Sequence, residues 1–220
     1  MKAFFDALRT ELGPFTHDQV RGFEIILAAS ADLPLRHRAY ILATAWHETA
    51  FTMQPVRETL AKTDASAVNI LERAWAEGKL KWVRTPYWRF DSEGKTFLGR
   101  GYVQLTHKSN YAKAGEKLGV DLLADPNRAM NPELAAMILV RGMREGWFTG
   151  KKMADFQTYA DMRRVVNGTD RAAQIARYAT SFEIALQALE EAGVDPPEPE
   201  KPEKQPCVIF KSIRKFLKGE

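Results

Sequence analysis

Glu48 is the residue of this sequence whose setting most directly suggests proton chemistry. It closes a run, LRHRAYILATAWH, in which Leu35, Ala39, Leu42, Ala45 and Trp46, with Thr49 beyond, recur at intervals of three and four and share one helical face. Pro34 suits the first turn of that helix, where its missing N–H costs nothing. Glu48 falls beside Ile41 and Ala45 at the edge of the apolar stripe. Desolvation there penalises the charged form and is expected to raise its pKa. A carboxylic acid that keeps its proton near neutral pH is what a departing glycosidic oxygen needs. The competing reading is a helix-edge glutamate paired with a nearby arginine.

Two further stretches carry polar chemistry. Residues 79–98 concentrate Trp82, Tyr87, Trp88, Phe90 and Phe97 among basic and turn-forming residues. They read either as a surface for stacking on sugar rings or as a β-hairpin whose aromatics fill the core. In GRGYVQLTHKSNY, residues 99–111, Gly99 and Gly101 bracket Arg100, which marks backbone that bends or approaches something closely. Tyr102, Gln104 and Thr106 then alternate with Val103 and Leu105, the pattern of a short strand with one polar face. Such a face suits a carbohydrate cleft or an exposed sheet edge.

The elements that must position these groups are mostly helical. Residues 1–12 form a short amphipathic helix ended by Gly13-Pro14, and Thr16 with Gln19 makes a capping box for a second helix. Helices follow at 66–78, 111–118, 133–147 and about 170–192, the last expected to pack centrally through Ile175, Tyr178, Ala179, Phe182 and Leu186. Asn167-Gly168 is a helix-ending pair.

Composition narrows the class. The 220 residues are 45% apolar and 27% charged, the balance of a soluble domain able to bury a core without staples. A single cysteine, Cys207, excludes an intramolecular disulfide, and His17, His37, His47 and His107 lack ligand spacing, so no metal or other cofactor is expected. His47 is expected to act as a structural hydrogen-bonder beside Glu48. A formal charge of +4 suits an anionic polymer but is too small to argue for nucleic acid, for which no motif is present. A monomer is expected. The N-terminus has no signal-peptide pattern, so the protein is expected to be made in the cytoplasm.

Residues 195–206, DPPEPEKPEKQP, hold five prolines in twelve positions and read as a semi-rigid linker after a domain spanning 1–194. In 207–220, Ile209, Phe210, Ile213, Phe216 and Leu217 take one side of a helix and Lys211, Arg214, Lys215 and Lys218 the other. That segment suits an anionic membrane interface, docking on the core, or a disordered tail.

Three segments together resemble glycoside hydrolase family 19, which holds chitinases and lysozyme-like phage endolysins. They are His47-Glu48-Thr49, then GRGYVQLT at 99–106 with Asn110-Tyr111, then Val166-Asn167-Gly168. The resemblance implies a mostly α, lysozyme-like α+β domain with a small β element lining a cleft. It implies Glu48 as general acid, Thr106 as a holder of the attacking water, and Gln104, Asn110, Tyr111 and Asn167 as sugar contacts. Tyr102, on the same polar face, and Arg100 are counted with these contacts. The general base is expected to be Glu58, as in the compact phage-like members, ahead of Glu72 or Glu77. Arg57 is expected to keep Glu58 ionised, and Thr59 to assist. Inverting pairs of this kind stand roughly 6.5–9.5 Å apart. Many members follow the HET-type triplet with Gly-Gly; here Ala50-Phe51 stands instead, so a different loop is expected. The activity implied is inverting hydrolysis of β-1,4 bonds in peptidoglycan by an endolysin that reaches the wall through a membrane pore. The alternatives are hydrolysis of chitin and a non-catalytic wall- or membrane-binding protein acting through its cationic tail.

Overall fold

Helix α3 (Leu35–Glu48) is the axis of the molecule, and it is buried on every side from Arg38 to Trp46. A computed structural model describes residues 1–193; the expected linker 195–206 and amphipathic segment 207–220 lie outside the described residues. The single apolar face read from the sequence is therefore too narrow. Ala39, Ala43 and Ala45 are small enough for other helices to close on α3 from several directions.

Three helices make that enclosure, α2 (His17–Ala29), α6 (Pro132–Glu145) and α8 (Ala172–Glu191), and α1 (Lys2–Leu12) packs in turn against α8. α8 packs along α3 and α1, as its apolar spacing predicts, with Ile175, Ala179, Phe182 and Leu186 fully buried. Phe4, Phe23, Trp46 and Phe182 meet in one aromatic cluster, with Phe23 and Trp46 stacked at 6.0 Å. The predicted capping box of α2 is present: the Gln19 N–H donates to Thr16 Oγ1 at 3.2 Å, and the Thr16 N–H donates to Gln19 Oε1 at 2.8 Å.

A second, smaller core lies around α4 (Asp64–Ala76). It gathers Ala67, Val68, Leu71, Trp88 and Leu98. Residues 79–98 wrap it as turns, with no strand, so the hairpin reading fails. Their aromatics divide: Trp88 and Phe97 are buried, while Trp82 is 76% exposed and Phe90 is exposed.

The β element is shorter than expected. β1 (Val56–Arg57) pairs antiparallel with β2 (Arg100–Gly101), with Val56 opposite Gly101 and Arg57 opposite Arg100. The strand expected over 102–106 is instead a tight turn, closed by an Arg100–Leu105 bridge and by a left-handed Gln104 (φ 54°). Alternation misleads here because the turn sends Tyr102, Val103 and Leu105 all into the core. α5 (Lys108–Leu118) and the short α7 (Tyr159–Met162) complete the eight α-helices of the described residues.

Candidate active site

Glu48 is the last residue of α3, and the chain leaves it through a constrained loop. Buried Thr49 donates from Oγ1 to the Ala45 carbonyl (2.8 Å) and accepts from the Met53 N–H (3.1 Å). Ala50, Phe51 and Met53 are all left-handed, with φ of 49°, 71° and 51°. Positions 50 and 51 are thus where Gly-Gly would sit without strain. The loop is seated on the start of α2. Gln19 Nε2 donates to the Phe51 carbonyl at 2.9 Å, and a Cβ on Gly22 would lie 1.8 Å from the Met53 carbonyl oxygen.

The apolar edge expected around Glu48 is occupied by a cation. Arg163 Nη1 donates to Glu48 Oε1 at 2.5 Å, with Arg163 only 3% and Glu48 17% exposed. The alternative reading of a paired glutamate therefore describes the contact correctly. It does not remove Glu48 from chemistry: a guanidinium never gives up its proton, so it fixes one carboxylate oxygen and leaves Oε2 to exchange one. Arg163 is itself held by Nε donation to the Asp170 carbonyl at 3.0 Å. His47, half-buried next door, has its pKa lowered chiefly by burial, against a smaller opposing pull from Glu48.

Glu58 is held by neutral donors. It opens a 3₁₀ turn, Glu58–Leu60, directly after β1, and its N–H extends the ladder to the Gly99 carbonyl at 2.7 Å. The Gly99 N–H returns a bond to Glu58 Oε2 (2.8 Å), and the Tyr87 hydroxyl donates to Oε1 at 2.6 Å. Burial, then the bond to Glu58, pushes the Tyr87 phenol well above its ordinary value, so it remains a donor throughout the working pH range. Gly99 is required by space: a Cβ there would meet Gln104 Oε1 at 2.7 Å and Glu58 Oε2 at 3.3 Å.

Arg57 does not serve Glu58 as expected. Its guanidinium donates to Asp64 Oδ1 (2.7 Å), the Lys62 carbonyl (3.2 Å) and Asn127 Oδ1 (3.1 Å). Glu72 and Glu77 are engaged elsewhere. Glu72 accepts from Trp88 Nε1 and Arg89, and Glu77 pairs with Lys79 at the exposed end of α4. Both carboxyls are held below their usual range, by the hydrogen bond from Arg89 and that from Lys79 respectively.

Three expected sugar contacts are buried. Arg100 is 1% exposed; it donates to the Thr96 carbonyl (3.0 Å), to the Tyr111 hydroxyl (2.9 Å) and to Asp64 Oδ2 (2.6 Å). Tyr111 is fully buried and donates to the Leu98 carbonyl at 2.7 Å. Tyr102 is fully buried on the core side of the turn. None of the three can touch a glycan, because each is buried.

Gln104 has a mixed role: its Nε2 is spent on the Val56 and Gly101 carbonyls (3.0 and 3.3 Å), while Oε1 lies beside Gly99 and Glu58. Thr106 and Asn110 are half-buried near the start of α5, and Thr59 is exposed in a left-handed conformation (φ 64°). Asn167 is exposed four residues after Arg163, and its side-chain Oδ1 accepts from the Gly168 N–H at 2.8 Å.

Sequence reasoning passed over Arg163, Tyr87 and Gly99 as site residues. Tyr87 lay within the flagged aromatic segment. Arg163 is 115 residues from its partner and carries no local signal.

Comparison with known proteins bears on the fold and on part of the chain. The family described as chitinase class I matches residues 69–150. Chitinase 12 of Oryza sativa subsp. japonica is 50% identical over 34 residues, a stretch that spans 16% of this chain and only 10% of the rice protein. Chitinase C of Streptomyces griseus HUT6037 superposes with a TM-score of 0.52 at 18% identity, covering 91% of this chain and 79% of that one. A bacterial family 19 chitinase gives 0.52 at 22% identity, covering 89% and 95%. The family match over residues 69–150 and the shared fold agree with the resemblance to glycoside hydrolase family 19 read from the sequence.

Proposed function

We propose that the protein hydrolyses β-1,4 bonds next to N-acetylglucosamine in a structural polysaccharide, by single inverting displacement. Glu48 protonates the leaving glycosidic oxygen from Oε2. Glu58 takes a proton from water as the water oxygen bonds to the anomeric carbon from the opposite face. The Thr106 hydroxyl orients that water. The observation that carries this reading is that both carboxylates are fixed in place yet keep accepting capacity: Arg163 holds only Oε1 of Glu48, while Tyr87 and the Gly99 N–H hold one oxygen each of Glu58. Each Glu58 oxygen keeps a lone pair after accepting from Tyr87 or Gly99, so a water can still bind.

The first substrate is peptidoglycan, and the protein would then act as an endolysin. Chitin is the second, favoured by the chitinases among its relatives. Digestion of purified peptidoglycan and of colloidal chitin, followed by mass spectrometry of the products, tests the reading, because the reducing-end sugar names the bond cleaved. Glu48→Gln should lower the rate on the true substrate by roughly 10³-fold, within the range of one acid–base group. Undiminished cleavage by that variant would remove Glu48 from the mechanism.

A further inference from the structure

The residues that follow Arg163 in the chain open a surface groove of about 460 Å³, lined by Arg164, Val166, Asn167 and Thr169 together with Thr149 and Lys151. One wall is a tight glycine turn. Gly146 and Gly150 have φ of 77° and 81°, and a Cβ on Gly146 would come within 3.0 Å of the Gly150 carbonyl oxygen. The other wall is the loop that carries Arg163. Thr149 Oγ1 donates across to the Arg164 and Val165 carbonyls at 2.7 and 3.0 Å, which fixes the two walls relative to each other. The same loop presents Arg163 to Glu48 and its neighbours Arg164 and Asn167 to the groove.

The groove has two cations, and the proposed chemistry at Glu48 needs neither. Arg164 shares its charge with Asp161 across a 3.5 Å contact, while the Lys151 side chain is exposed at the rim. A neutral N-acetylglucosamine polymer gains little from such a wall. A peptidoglycan strand differs at every second sugar, which bears a lactyl-linked peptide with free carboxylates. We propose that this groove is an anion subsite that receives a peptide carboxylate of the glycan while Asn167 holds the adjoining sugar. The proposal rests on reading Glu48 and Glu58 as the hydrolytic pair, and it names the substrate class of that site.

The test compares wild type with the double variant Lys151→Gln, Arg164→Gln. Substrates are soluble muramoyl-peptide glycans and chitin oligomers of equal length, at low and high salt. The ratio of kcat/KM for the peptide-bearing glycan to that for the chitin oligomer should fall about tenfold, mainly through KM, the scale of two partly exposed charge pairs. Added salt should erode that ratio in wild type more than in the variant. Amidating the peptide carboxylates should reproduce the loss in wild type. An unchanged ratio, or amidated glycans cleaved as well as acidic ones, overturns the subsite. If wild type cleaves neither polymer, the hydrolase reading fails separately. Calorimetric binding of muramoyl dipeptide then decides the groove: affinity lost in the double variant supports it, and affinity unchanged or absent overturns it.

Discussion

Glu48 and Glu58 are supported by two regions built on different physics. Glu48 ends a helix enclosed by three others, and its partner is a buried guanidinium. Glu58 directly follows a two-residue strand, and its partners are a phenol and a peptide N–H. The helical region fixes its carboxylate by charge and burial. The small region fixes its carboxylate by geometry: Arg57 and Arg100 pair with Asp64, and with Tyr111 they brace backbone carbonyls rather than the acid. The two carboxylates thus stand in unlike surroundings, one against a fixed charge and one among neutral donors.

Removing Arg163 should break the comparison most severely. Arg163→Gln leaves Glu48 partly buried without its cation and frees the Asp170 carbonyl. Loss of one partner of a buried pair costs on the order of 3 kcal/mol, which chemical denaturation would read as a lowered midpoint. Activity should fall roughly 10²-fold or more as the acid loses its orientation. The double variant Glu48→Gln, Arg163→Gln should be more stable than Arg163→Gln alone, because no unpaired charge remains. A double variant of equal or lower stability would show that the pair contributes nothing specific.

The matching change in the small region is gentler. Tyr87→Phe removes one of two donors to Glu58 and leaves the Gly99 N–H in place. A hydrogen bond to a charged group is worth about 1.5–3 kcal/mol, so kcat should fall roughly tenfold, with KM for the polymer nearly unchanged. A fall in KM affinity alone would make Tyr87 a binding residue rather than a positioning one.

How far the sequence disclosed these two regions follows from the range of the interactions. α3, its carboxylate end and the α2 capping box are local, set within a few turns by spacing and capping chemistry, and they stand where the pattern puts them. Glu58 was legible only through its place after Glu48 in the family pattern, and its surroundings were not. Arg57 looked like its partner because it is adjacent, yet strand geometry points neighbouring side chains to opposite faces. The alternation at 102–106 failed because a left-handed Gln104 turns the chain, and no residue there announces a positive φ as glycine would. The Arg163–Glu48 contact is a product of α8 and its preceding loop packing on α3, which no local pattern encodes.

Acidification should strain the helical region first. His37 and His47 both have pKa values lowered from the ordinary 6.5, mainly by burial. The folded form therefore binds fewer protons than the unfolded form as pH drops below that value, and stability rises with pH across this window. Thermal midpoints measured between pH 7 and pH 5 should fall, and His47→Gln should flatten the slope. An unchanged slope would assign the acid sensitivity to His37 or to the carboxylates.

The smallest expected effect concerns the loop that leaves Glu48. Ala50 is exposed and left-handed, and Phe51 is left-handed but packs against Trp46 and Tyr178 at centroid distances of 5.2 and 6.1 Å. Glycine at either position relieves backbone strain of about 1 kcal/mol and raises the entropy of the unfolded chain by a similar amount. At position 50 nothing else changes, so Ala50→Gly should alter stability by less than about 1 kcal/mol and leave kcat intact. At position 51 the aromatic contacts are lost, so Phe51→Gly should destabilise by roughly 2 kcal/mol. If both glycines were equally neutral, Phe51 would contribute nothing to the seat of the loop, and the order of Glu48 would rest on Thr49 and Arg163 alone.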